Sequence, residues 1–475
     1  MELNQISGIL QRMTLEEKAE LCSGADFWHT KEVERLGVPA LTISDGPSGL
    51  RKQEGSGSMG LHESSQSISF PSGSLAASSF DRALLRKLGE TLGEECQAEK
   101  VDILLGPSMN IKRSPLCGRN FEYYSEDPYV SGELAGAYVD GLQEKGVGAC
   151  PKHFYGNNME ERRMSTSSEM EERTAREIYL PAFERMVTEH QPRTIMCSYN
   201  KINGVYAAEN REALTDILRE EWGFEGSVIS DWGAVNDRAK DLDAGLDLEM
   251  PSSHGAGPKA ILKAIEGGSL AEEELDLVCE RLLRTIAKSS AANRTAADTK
   301  TAAEGGVYHW EKDHETAKQI AKESMVLLKN DSTLPLSEKQ NIVFIGPYAK
   351  APRYQGGGSA HVQPWRVEAA WDAVKDSETV TYIRGFRDAL TGDEKEASLE
   401  ELISEAAGAA AKADAAVLFV GIPEGGESEG FDRSDLKLPT EQTALIEAVA
   451  KVQSKTVVVL HNGAPVEMPW IDQVS

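Results

Sequence analysis

Positive charge is scarce in this sequence. Fifty lysines and arginines stand against 77 aspartates and glutamates in 475 residues, which leaves a formal net charge of −27 and a pI near 4.8. A surface this acidic repels nucleic acid and anionic membrane, so both are excluded as partners, while a neutral ligand is unaffected. Long apolar runs are missing too, and none approaches the roughly 20 residues needed to cross a bilayer. The opening Met1-Glu2-Leu3-Asn4-Gln5 is acidic and has no apolar core behind it, so no secretory leader is expected. Only six cysteines occur, Cys22, Cys96, Cys117, Cys150, Cys197 and Cys279, at spacings that fit neither a metal site nor a disulfide framework. We read them as reduced thiols, with Cys150 and Cys197 packed as small hydrophobes in core strands. A cytoplasmic protein without metal or cofactor is expected, and a homo-oligomer is left open.

What the chain does have is a series of short apolar runs that end in polar groups. The most informative is Gly226-Ser-Val-Ile-Ser-Asp231-Trp232-Gly233, a strand-like run that stops at one carboxylate. Five more resemble it: 40–44 before Asp45-Gly46-Pro47, 101–105 before Gly106-Pro107, 148–150 before Lys152-His153, 194–197 before Ser198-Tyr199-Asn200, and 244–248 before Glu249. Helical spacing lies between them, over 82–99, 131–144, 169–189 and 211–221. Strands alternating with helices imply βαβ units and a parallel sheet. The expected fold is α/β, with an N-terminal (β/α)8 barrel whose successive strand ends share one mouth.

The length is too great for one ordinary domain and implies two. The stretch 289–306, rich in Ala, Thr, Ser and Gly, reads as a linker. We therefore expect a barrel over 1–288, a linker over 289–311 and a second α/β domain over 312–475. In the latter, helical spacing over 316–328 precedes β-rich runs at 342–346, 379–383, 415–420 and 456–460. The final 468–475 begins another strand-to-helix passage and stops, so the second domain is expected to be incomplete.

Six motifs in order carry a resemblance: SDGPSGLR at 44–51, GPSMNIKRSPLCGRNFEYYSEDP at 106–128, KHF at 152–154 followed by Asn157-Asn158-Met159-Glu160, MCSYN at 196–200, SDWGAV at 230–235 and ESEGFDR at 427–433. With them the chain resembles the β-glucosidases of glycoside hydrolase family 3 over nearly its whole length. The resemblance implies a barrel and an α/β sandwich. It also implies a retaining, exo-acting glycosidase that removes a terminal β-D-glucosyl residue from a small glycoside or oligosaccharide through a covalent glycosyl-enzyme. By that resemblance Asp231 is the nucleophile and Glu429, before a Gly-aromatic pair, is the acid/base, with Glu427 and Glu424 close enough to be mistaken for it. Asp45, Arg51, Arg119, Lys152, His153, Tyr199 and Trp232 match sugar-site positions, and Met196 and Ser359 are assigned to the same site.

Each residue also has a plain reading. A strand-ending Asp caps the next helix, Asp45 before Gly-Pro opens a turn, and Arg119 pairs with Glu122 or Glu126. His153, Tyr199 and Trp232 by default satisfy or fill a core. The six motifs together favour function, because sugar hydroxyls need directional donors and acceptors beside an apolar face. Met159 stands where many relatives have Gln. Residues 155–165 contain no histidine, which argues against an N-acetylglucosaminidase. A β-xylosidase or α-arabinosidase differs from the leading reading by one hydroxymethyl contact, and an inactive sugar-binding fragment is the alternative outside enzymes.

Overall fold

The computed structural model describes residues 1–53, 64–289, 308–387 and 397–475. Most of the expected linker over 289–311 lies outside them. The chain forms two compact units: Met1–Ser114 with Glu122–Ser324 and Gly358–Trp365, and Pro115–Phe121 with Met325–Gly357 and Arg366–Ser475.

The first unit is an α/β barrel built on short, fully buried strands. Strand β1 (Ile43–Asp45) pairs in parallel with β2 (Ile103–Leu105), and β2 with β3 (Gly148–Ala149). Strand β4 (Thr194–Met196) pairs in parallel with β5 (Ser227–Ile229), Met196 lying opposite Ile229. Single bridges continue the circuit. Phe154 meets Cys197, Leu248 meets Ile229, Glu249 meets Ser23, and His29 meets Thr42, which returns the pairing to the start of β1. Strands covered on both faces must be apolar throughout rather than alternating, and Ile103-Leu104-Leu105 shows why this region reads as a run.

Three expectations needed correction. The run 244–248 is not a strand. Asp237 caps helix α1 (Arg238–Ala244), which ends at Gly245 in the left-handed region (φ +113°), so only Leu248 reaches the ladder. The helix expected over 169–189 is broken at Pro181, which has no N–H to give to the preceding turn. The helix expected over 316–328 runs instead from Trp310 to Ser324, burying Asp313, His314, Ala317, Ile320 and Ser324 at helical spacing. Met325-Val326-Leu327-Leu328 breaks that spacing and lies exposed outside it.

The second unit is an α/β layer whose parallel sheet matches the four expected runs. Strands β6 (Ile342–Ile345), β7 (Val380–Ile383), β8 (Ala415–Gly421) and β9 (Thr456–His461) lie in the order β7-β6-β8-β9. All seven residues of β8, an inner strand, are buried. Among the described residues, no helix is long and apolar enough to cross a membrane.

Helix α1 buries one group at a cost. Asp241 is 0 % exposed, neither carboxyl oxygen has a hydrogen-bond partner, and burial raises its pKa to about 8 despite the pull of Arg238. The folded protein holds this proton to about pH 8, whereas an unfolded chain releases it near pH ~4. Rising pH therefore removes stability across that window, on the order of a few kcal/mol in total, and below it the group makes no difference. Asp241→Asn should raise Tm by several degrees at pH 8 and leave it nearly unchanged at pH 4. Thermal unfolding at both pH values checks this, and equal shifts would rule out ionisation as the cause.

Candidate active site

The end of β5 delivers Asp231. Ser230 fixes the turn, donating through Oγ to the Met250 carbonyl (3.2 Å) and accepting from the Met250 N–H (2.8 Å). Asp231 is 7 % exposed. Its Oδ1 accepts the Trp232 N–H at 2.8 Å, and its Oδ2 lies 3.5 Å from His153 Nε2. Burial pushes the thiols of Cys150 (up to about 12) and Cys197 upward, so neither offers a thiolate nucleophile at neutral pH.

A second buried cluster forms at the end of β1. Asp45 lies 3.5 Å from Lys152 Nζ and 3.8 Å from Arg51 Nη1, and all three side chains are buried. The turn joining Asp45 to Arg51 needs glycine at position 46. There φ is +134°, and a Cβ would stand 2.2 Å from the Gly49 carbonyl oxygen. Lys152 reaches the cluster because its own N–H is tied to the Pro107 carbonyl at 3.0 Å. Buried opposite charges in this geometry can accept and donate to neighbouring hydroxyls on one ligand.

Trp232 is half-buried against Phe27 and Trp28, with ring centroids 6.5 and 5.3 Å away, and its indole N–H donates to the Phe27 carbonyl at 3.0 Å. Tyr199 donates to the Trp232 carbonyl at 3.0 Å. Met196 is buried in the apolar cluster against which Trp232 packs. Ser359 is half-buried in the segment Gly358–Trp365 of the same unit. One residue escaped the sequence reading. The Arg163 guanidinium stacks over the Tyr199 ring at 4.6 Å and pairs with Glu160 at 2.7 Å. The three-residue spacing of Glu160 and Arg163, just after Asn157-Asn158, was the available signal. Met159, just before Glu160, is exposed, so its departure from Gln changes an outward side chain.

Glu429 and Arg119 belong to the second unit, where Arg119 Nη1 lies 3.6 Å from Glu429 Oε1. Glu429 sits in a tight turn. Ser428 bridges to Phe431 and to Gly357, the Glu429 N–H donates to the Gly357 carbonyl (3.1 Å), and Gly430 takes φ +98°. Its two rivals differ in surroundings. Glu427 is buried, accepts the Gly463 N–H at 2.9 Å and lies 3.9 Å from Arg433, its pKa raised chiefly by burial, whereas Glu424 is exposed. Glu427 thus ties its own loop together, while Glu429 is only half-buried. Among the described residues no group of three His, Cys, Asp or Glu side chains could hold a metal ion.

Comparison with known proteins agrees across both units. The family model for the glycosyl hydrolase family 3 N-terminal domain matches residues 2–285, and that for the family's C-terminal domain matches 325–475. Thermostable β-glucosidase B of Acetivibrio thermocellus is 51 % identical over 99 % of this chain and 61 % of its own length. An exo-α-(1→6)-L-arabinopyranosidase of Bifidobacterium breve is 44 % identical over 96 % of this chain and 60 % of its own. The crystal structure of a Bifidobacterium adolescentis family 3 β-glucosidase superposes with a TM-score of 0.88 at 43 % identity, covering 98 % of this chain and 65 % of that one. The chain therefore spans about three fifths of the length of these curated relatives.

The Glu429 turn depends on close approach at Gly118, where a Cβ would fall 1.8 Å from the Phe431 carbonyl oxygen and 2.4 Å from that of Ser428. Gly118→Ala should push the turn away and raise the hydrogen-exchange rate of the Glu429 amide by at least about tenfold. Gly408→Ala, in the helix Leu399–Ala410 where a Cβ meets nothing within 4 Å, should leave that amide unchanged. Equal protection in the two variants would show that the close approach does not hold the turn.

Proposed function

The chain belongs to glycosyl hydrolase family 3, and from that premise we propose that it carries the catalytic groups of a retaining, exo-acting β-glucosidase. The observation that carries this reading is the setting of Asp231: a strand-end carboxylate with one oxygen held by a backbone N–H and the other facing His153. A cation beside a buried carboxylate favours the anion that a nucleophile must be.

In this reading Asp231 bonds to the anomeric carbon as the bond from that carbon to the leaving oxygen breaks, and Glu429 gives the leaving oxygen its proton. Glu429 then takes a proton from water as that water displaces Asp231 from the same carbon. Arg119, 3.6 Å from Glu429, orients the acid/base. Asp45 accepts sugar hydroxyl hydrogens, Lys152, Arg51 and Arg163 supply charged donors, and Trp232 offers an apolar face to C–H groups. Met196, Tyr199 and Ser359 complete the proposed sugar site. The same proposal divides the chain into a barrel domain over 1–288 and an α/β domain over 312–475. It assigns the cytoplasm, a reading that six buried cysteines without a disulfide support.

A second reading has its own support. Relatives 44 % identical are named arabinopyranosidases, and an arabinopyranose lacks the hydroxymethyl group of glucose and carries an inverted 4-hydroxyl, the lost hydroxymethyl contact alone being worth about 1–3 kcal/mol. Aryl β-glucoside, β-xyloside, α-arabinopyranoside and N-acetyl-β-glucosaminide compared side by side test the choice. The β-glucoside should be cleaved fastest, and preference for the arabinoside would select the second reading.

Asp231→Ala should lower kcat by roughly 10⁴-fold or more. Glu429→Ala should spare formation of the glycosyl-enzyme from substrates with good leaving groups and slow its hydrolysis, with added azide restoring turnover as a glycosyl azide. Azide rescue in Glu427→Ala instead would reassign the acid/base.

A further inference from the structure

One amide side chain governs the ring that faces Asp231. Asn110, 2 % exposed, makes three hydrogen-bond contacts to His153. Its Oδ1 accepts the His153 backbone N–H at 2.7 Å, its Nδ2 donates to the His153 carbonyl at 3.1 Å, and the same Oδ1 lies 3.2 Å from ring Nδ1. The two backbone bonds determine which way the amide points, because a flip would set N–H against N–H and oxygen against oxygen. Ring Nδ1 therefore meets an acceptor and must carry the hydrogen.

The other ring nitrogen is then bare unless the imidazole is doubly protonated. Nε2 lies 3.5 Å from Asp231 Oδ2, where a lone pair would repel the carboxylate and an N–H would attract it. We propose that Asn110 is a positioning residue that holds a proton on Nδ1 of His153, so that the ring meets Asp231 as an imidazolium and keeps the nucleophile anionic. The inference rests on the assignment of Asp231 as nucleophile. Tyr123 stands edge-on to the His153 ring with its centroid 6.4 Å away, and Lys152, the preceding residue, is engaged with Asp45.

Two measurements on the full chain test this. The first uses histidine labelled with 15N, the His153 signals being assigned by their loss in His153→Gln. Nδ1 should be protonated in the resting protein, with Nε2 also protonated around neutral pH, and a neutral ring protonated only at Nε2 would overturn the proposal. This experiment needs no turnover, so it stands or falls separately from the glucosidase reading. The second is the pH profile of kcat/KM for an aryl β-glucoside whose leaving group needs no acid. In Asn110→Asp an anionic acceptor at Nδ1 should move the alkaline limb up by about one pH unit. In Asn110→Leu the limb should move down, with kcat lower by about 10²-fold and KM little changed. Limbs that stay in place in both folded variants would leave Asn110 a merely structural role.

Discussion

Burial of opposite charges at the strand ends is the constraint on which the first unit depends. An isolated ion in such a place is prohibitively unfavourable, and breaking a buried pair costs roughly 3–5 kcal/mol. The buried charges here consequently come in sets. Asp45 stands with Lys152 and Arg51, Asp231 with His153, and Asp247, 0 % exposed, with Arg219 and Arg281 while also accepting the Val228 N–H. These sets lock β1, β5 and the segment after α1 into one register. Asp241 and Glu95 are exceptions: neither carboxyl accepts a hydrogen bond, and burial raises the pKa of both.

The same constraint links fold to chemistry. Groups that must be paired to stay charged when buried are the groups a sugar's hydroxyls and anomeric carbon require, so the stability of the strand ends and their proposed function draw on the same side chains. Substituting one of them therefore leaves its partner unmatched as well as removing a contact. This is why Asn110 matters although it is uncharged. It holds the His153 backbone through two bonds and also meets ring Nδ1 at 3.2 Å, which sets the edge that the ring turns to Asp231.

In the second unit backbone proximity takes the place of charge. Gly118 and Gly463 let chain segments meet at distances that a side chain would prevent, and Gly430 supplies the positive φ of the turn. Asp432 accepts the Gly118 N–H at 3.0 Å, and the Arg433 N–H donates to the Leu116 carbonyl at 2.9 Å. One acid of the loop, Glu427, is used up in holding this packing, which leaves Glu429 as the carboxylate with an ion-pair partner and solvent access.

The sequence by itself determined the α/β class, the apolar strands that end at Asp45, Lys152 and Asp231, and the four strands of the second sheet, because runs of buried residues and the polar residues that stop them are local features. It read a strand where Gly245 closes a helix, ran one helix through Pro181 and carried another past Ser324. Which charge pairs with which was beyond it. Arg119, read as a sugar-site residue with Glu122 or Glu126 as its plain alternative partners, lies 3.6 Å from Glu429, a residue remote in the chain. Arg163 went unnoticed because its stacking on Tyr199 exists only in three dimensions, and the spacing to Glu160 was its one local signal. The difference between Glu427 and Glu429, and the hold of Asn110 on His153, likewise arise from distances between segments remote in sequence. Electrostatic and hydrogen-bond partners are chosen by proximity in space, and only the tertiary structure decides that.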